Sequence, residues 1–71
     1  MKANEIVKTL MADETITQGD LTKMLGLKSQ SAVSGILNRD MRTSTLVRIL
    51  SCMKGEVIVR DKNGREFVIS E

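Results

Sequence analysis

Gln30, Ser31, Ser34 and Asn38 fall at i, i+1, i+4 and i+8, a spacing that lines up one side of an α-helix. All four side chains are short, uncharged and able to hydrogen-bond. A glutamine amide presents donor and acceptor side by side and can bond N7 and N6 of adenine together. A serine hydroxyl donates or accepts and so discriminates less. This chemistry suits reading base edges in the major groove of duplex DNA, where a helix must enter with short side chains facing outward. Gln30, Ser31 and Ser34 are therefore the candidate base readers, with Ala32 placed to touch a thymine methyl. A good bidentate pair contributes about 1–3 kcal/mol of discrimination. Lys28, Arg39 and Arg42 flank this segment and are candidate phosphate contacts, which position a protein without reading sequence. Gln18 and Asn38 are assigned to phosphate or to bracing Gln30.

The elements that must hold these residues can be read from spacing and caps. Asn4 is predicted to cap a first helix with the stripe Ile6, Val7, Leu10 and Met11. Thr17 is predicted to cap a second helix, with Asp20 three residues on as a variant capping box. Its buried stripe is Leu21, Met24 and Leu25, and Gly26 supplies the left-handed residue for a sharp turn. The amides that open this helix point toward an anion. Ser29 then caps a third helix, Gln30 to Asn38, which turns Val33, Ile36 and Leu37 inward. Gly35 within it costs about 1 kcal/mol against Ala, which suggests a close neighbour or an under-optimised site. Ser44 is predicted to cap a fourth helix with Leu46, Ile49, Leu50 and Met53 inward and Gly55 at its end.

Residues 56–70 read as a β-hairpin turning at Asn63-Gly64. A two-residue turn would pair Arg60 with Phe67. A three-residue loop with Gly64 left-handed would pair Val57 with Ile69, Val59 with Phe67 and Arg60 with Glu66. The second register is preferred, because it collects four apolar residues on one face and opposes unlike charges on the other.

Residues 17–38 resemble the helix-turn-helix of the phage repressor and Cro-type transcriptional regulators. The resemblance rests on Gln18, Leu21, Leu25, Gly26-Leu27, Gln30-Ser31, Val33, Ile36 and Asn38, and extends to the helix STLVRILSCM that follows. It covers about 50 residues as a fold pattern rather than a motif match. Thr22 stands where the family usually has Ala, the turn carries Lys28-Ser29 where one residue is usual, and the hairpin replaces the family's last helix. Cro-type members use a C-terminal hairpin to dimerise. The resemblance implies a sequence-specific DNA-binding regulator, a phage or prophage-type repressor.

Composition is consistent with that expectation and excludes others. The 71 residues fit one small, mainly α domain. A chain of this size buries only about 60% of its unfolded surface. With a single cysteine and no histidine, neither a disulfide framework nor a metal set is available to reinforce it. Cys52 is read as a small buried apolar residue rather than a redox sensor. From Lys23 to Lys54 there are six basic residues and one acidic, a net +5, while the remainder carries −3. Basic charge around one element is the footprint of a polyanion partner, although most clusters of this size are solvated faces, and Lys23 is read that way.

A histidine-based catalytic triad is impossible without His, no convergent carboxylate pair is evident, and no glycine loop could cradle a phosphate; no enzyme activity, cofactor or small-molecule ligand is expected. Single-strand binders stack bases on aromatic rings, and the one ring, Phe67, is expected to be buried by the hairpin. No apolar run reaches the roughly 20 residues of a membrane span. The start, with charges at Lys2, Glu5 and Lys8, is unlike a signal peptide, so a cytoplasmic, nucleoid-associated protein is expected.

One recognition helix covers too few base pairs for an operator. A homodimer on a short inverted repeat is therefore expected, its two reading helices one DNA turn, about 34 Å, apart. Val57, Val59, Phe67 and Ile69 are the candidate dimer face. The alternative is a protein-interaction module, such as an antitoxin-type helix-turn-helix domain, whose hairpin joins a partner's sheet edge.

Overall fold

Val7, Leu21, Val33, Leu37 and Ile49 are almost completely sealed from water, and together they come from all four helices. They form the centre of one core, joined by Met11, Leu25 and Leu50. The structure is a computed structural model that describes residues 1–70. It contains α1 (Ala3–Asp13), α2 (Gln18–Leu25), α3 (Gln30–Leu37) and α4 (Thr43–Cys52), followed by β1 (Val57–Arg60) and β2 (Glu66–Ile69) in an antiparallel hairpin. The mainly helical class, the four helices and the hairpin agree with the reading from sequence.

The start of α2 is set locally. Thr17 is its N-cap: its hydroxyl accepts from the Asp20 amide at 3.0 Å, and the Asp20 carboxylate accepts from the Thr17 amide at 3.0 Å. This reciprocal box satisfies two amides that no helical carbonyl can reach. The buried side of α2 is Leu21, Thr22 and Leu25, not Leu21, Met24 and Leu25. The helix is rotated so that Thr22 faces the core and Met24 faces solvent. Burying Thr22 leaves no polar group unpaired, because its hydroxyl donates to the Gln18 carbonyl at 2.7 Å.

Two predicted caps are replaced. Asn4 lies inside α1, one residue past its first, and Lys2 is the N-cap residue, without a side-chain bond. The Asn4 Nδ2 instead donates to the Leu37 carbonyl at 3.1 Å, an acceptor at the C-terminus of α3 that has no intrahelical partner. Asn4 continues the buried side formed by Val7 and Met11, while Ile6 is turned outward. Likewise α4 begins at Thr43 after the extended residue Arg42, and Ser44 sits within its first turn. Val47 of α4, off the predicted stripe, is buried and lines a hollow with Val57 and Ile69 at the hairpin's base.

Three helices end in the same two hydrogen bonds around a left-handed residue. After α1 the residue is Thr15 (φ 54°), with Ile16 N–H donating to Met11 O and Thr15 N–H to Ala12 O. After α2 it is Gly26 (φ 69°), with Leu27 bonding Thr22 and Gly26 bonding Lys23. After α4 it is Lys54 (φ 60°), with Gly55 bonding Leu50 and Lys54 bonding Ser51. This closure satisfies terminal carbonyls and favours glycine, yet only the α2 copy has glycine at the left-handed position. The chain end of α4 therefore turns at Lys54, one residue before the predicted Gly55.

The hairpin adopts the preferred register, Val57 to Ile69, Ile58 to Val68, Val59 to Phe67 and Arg60 to Glu66. Gly64 is left-handed (φ 85°), and its amide bonds the Asp61 carbonyl at 3.1 Å. Asp61 organises the loop: its carboxylate accepts from the amides of Asn63 and Arg65, each at 2.9 Å, and from the Arg65 guanidinium at 2.7 Å. Arg60 and Glu66 pair at 2.6 Å. The hairpin extends the molecule to 42 Å against a width of about 20 Å.

Candidate nucleic-acid interface

Gly26 turns the chain out of α2 and α3 restarts four residues later, so Lys28 and Ser29 stand at the corner between the two helices. Ser29 is the N-cap residue of α3 but makes no capping bond; its hydroxyl pairs with that of Ser31 at 2.9 Å. Val33 and Leu37 anchor α3 in the core. Gln30, Ser31, Ala32 and Asn38 are exposed, and Ser34 is half-buried. The predicted reading residues thus share one open side of α3.

Gln30 lies over the start of α2. A Cβ at Gly19 would come 3.0 Å from the Gln30 Nε2, so the absence of a side chain at Gly19 lets the amide settle there. Gln18, predicted to brace Gln30 or hold phosphate, is exposed beside it, and its carbonyl is engaged by Thr22. Thr17, Gly19, Lys28, Ser29 and Gln30 border an open hollow of about 530 Å³ between α2 and the turn. The helix-two amides are less available to an anion than expected, because the amides of Thr17 and Asp20 are closed by the capping box. Hydrogen bonds from the Thr17 backbone and side chain hold the Asp20 carboxyl below the usual carboxylate range. That carboxylate stays ionised at the same helix end.

The basic residues divide by what they do in the fold. Lys28 and Arg42 are exposed. The Arg39 side chain folds back along α3, its Nε donating to the Gly35 carbonyl at 2.8 Å. A Cβ at Gly35 would meet the Arg39 Nη2 at 3.1 Å, which gives Gly35 its close neighbour. Arg48 donates to the Leu25 carbonyl at 3.1 Å and so caps the end of α2 from α4. Cys52 is half-buried against the core, its thiol directed at the Met24 carbonyl at 3.6 Å.

Both ends of the exposed Asn38 amide are engaged within the fold. Its Nδ2 donates to the Ser34 hydroxyl at 3.1 Å and its Oδ1 accepts from the Lys8 ammonium at 3.4 Å. Lys8 was not singled out from the sequence. It lies one turn after Asn4 on α1, and only the packing of α1 across the end of α3 brings it to Asn38. With the Lys2–Asp40 pair at 3.9 Å, α1 and its N-cap residue make three polar contacts with residues 37–40.

The predicted dimer face is split. Val57 and Ile69 are half-buried at the body, while Val59 and Phe67 remain 49% and 54% exposed. Phe67 is thus not buried by the hairpin as expected: it shares a face with Val57 and Ile69, but lies two residues farther from the helical body than Ile69, toward the open end of the hairpin. The Arg65 guanidinium lies 5.7 Å from its ring. Ile58 and Val68, on the opposite face, are 45% and 57% exposed.

No protein-family model, curated protein or solved structure matches this chain. No helix among the described residues is long and apolar enough to cross a membrane.

Proposed function

We propose that this protein is a sequence-specific regulator of transcription that inserts α3 into the major groove of duplex DNA, in the manner of the phage repressor and Cro-type proteins it resembles. The observation that carries the reading is the open side of α3. Gln30, Ser31 and Ser34 lie together on a helix whose other side is locked into the core. Lys28 precedes that helix and Arg42 follows it. Gln30, resting over Gly19, enters the groove first and bonds adenine through its amide. Lys28 and Arg42 meet phosphates on either side. Arg39 joins them by releasing its bond to Gly35. Two copies, joined through their hairpins, address an inverted repeat.

Selection from a random duplex library at about 0.15 M salt, where weak long-range contacts are screened, tests this directly. The expected product is an inverted repeat, with discrimination relaxed at one position by Gln30→Ala. Lys28→Ala and Arg42→Ala should weaken all duplexes alike and each lower the salt slope by about 1. A shift in base preference from either would move that residue into base readout.

The second reading, a protein-interaction module such as an antitoxin-type helix-turn-helix domain that binds a protein partner, is favoured by one observation. The hairpin holds apolar side chains half exposed on both faces. A folded protein that enriches no sequence would favour that reading.

A further inference from the structure

Ser34 differs from three other hydroxyl residues within these helices. Thr9, Thr22 and Ser51 each return their hydroxyl proton to the carbonyl four residues back, at 2.9, 2.7 and 2.8 Å. Ser34 does not: its oxygen accepts from the Asn38 amide at 3.1 Å, and among the described residues no acceptor takes its proton. The orientation of that amide is itself set. Lys8 is a donor only, so the atom it meets at 3.4 Å must be the Asn38 carbonyl oxygen, which leaves the amide nitrogen for Ser34.

We propose that the chain Lys8–Asn38–Ser34 fixes the polarity of one base contact. With one of the two lone pairs of Ser34 occupied from within and its proton taken by no acceptor among the described residues, that proton is the group left for the groove to satisfy, and the residue reads an acceptor there. At the centre of a base edge the acceptors are guanine O6 and thymine O4, whereas adenine N6 and cytosine N4 are donors. Placed at that exocyclic position rather than at the purine N7, which accepts in adenine and guanine alike, Ser34 selects a keto base over an amino base, and Asn38 and Lys8 are positioning residues rather than phosphate contacts. This rests on the proposed insertion of α3 into the major groove.

The test is a duplex carrying the sequence enriched by the wild-type protein, with each base pair replaced in turn by the other three. Wild type should prefer guanine or thymine at one base by about 3- to 10-fold, the range of a single neutral hydrogen bond. Ser34→Ala should lose preference at that base alone. Asn38→Asp is the decisive variant. A carboxylate can only accept, so it draws the Ser34 proton inward, and the preference at the same base should move to adenine or cytosine. The added negative charge weakens all duplexes together and leaves this ratio readable. Should binding by Asn38→Asp be too weak to measure, Asn38→Ala, which frees the hydroxyl to turn either way, should flatten the preference.

Retention of the keto preference by Asn38→Asp and Asn38→Ala overturns the proposed polarity. Wild-type discrimination at every base by Ser34→Ala overturns the contact itself while leaving groove insertion standing. Absence of any enriched duplex for a folded wild-type protein overturns both.

Discussion

In the four-helix body, Val7, Leu21, Val33, Leu37 and Ile49 are closed to water, whereas the hairpin leaves Ile58, Val59, Phe67 and Val68 about half exposed. The body meets tertiary as well as local demands: three of its helices end in closing hydrogen bonds and its apolar sides face one another. The hairpin satisfies only the local ones. Its loop is held by Asp61, its left-handed position by Gly64 and its register by Arg60–Glu66, but among the described residues nothing covers Ile58, Val59, Phe67 and Val68. Register can be specified by a few neighbouring groups, while burial requires a second surface. An isolated two-stranded hairpin is marginal in water, which is why the proposed dimer is assigned to this element.

The largest effect expected from this contrast lies in the core. Leu21→Ala should cost about 2–5 kcal/mol, because it opens a cavity the helices cannot close. Phe67→Ala, half exposed, should cost under about 1 kcal/mol in a dilute urea titration where the chain is monomeric. A cost for Phe67→Ala as large as that of Leu21→Ala at every protein concentration would erase the distinction between the two regions.

The next effect concerns the proposed assembly. If the hairpins join two copies, Phe67→Lys or Val59→Lys should turn that dimer into a monomer in sedimentation with unchanged helical circular dichroism, since an ammonium group buried without a partner is strongly disfavoured. A dimer mass retained by both folded variants would place the interface on the body.

Smaller changes are expected at the helix ends. Lys54→Gly should raise stability by about 0.5–1 kcal/mol, and Thr15→Gly by about 1 kcal/mol, because each relieves a left-handed conformation in a side-chain-bearing residue. Thermal or urea unfolding measures both. Lower stability in either variant would show that the side chain contributes more than its conformation costs.

The smallest effect is the response to acid. Asp20, bonded by Thr17, and Asp61, bonded by Arg65, both have carboxyls held below their ordinary value of 3.8. A depressed carboxyl contributes stability that is present above its unfolded value and lost as pH falls through the folded one. Unfolding free energy attributable to these groups should therefore stay level from neutrality to about pH 5 and decline below about pH 4. Asp20→Asn should reduce the acid dependence of the body. Asp61→Asn should reduce that of the hairpin, followed by amide exchange of Arg65. Loss beginning near pH 6 would implicate other groups.

The legible parts of this molecule were those whose partners lie within a few residues. Thr17 and Asp20 are three apart, Gly26 closes its own helix, and Asn63-Gly64 with the flanking alternation was enough to choose between two hairpin registers. Gln30, Ser31 and Ser34 were grouped correctly on one side of α3 because helical spacing alone does that. Spacing was less informative at the edges of a stripe. It could not distinguish Met24 from Thr22 as the inward residue, since the crossing of α3 decides the rotation of α2. Nor could it show that Phe67 would be left uncovered.

The sequence by itself determined the four helices, the hairpin and its register, because helix periodicity, caps and turn residues act over one or two turns of chain. Only the tertiary structure decided that Asn4 serves Leu37 rather than its own helix, that Arg48 caps α2, and that Lys8 reaches Asn38 and through it Ser34. Those partners stand 23 to 33 residues apart, apart from the final step along α3. A polar side chain can bond whichever free carbonyl or amide packing brings within hydrogen-bond reach, and that choice is made by the docking of helices rather than by the local sequence.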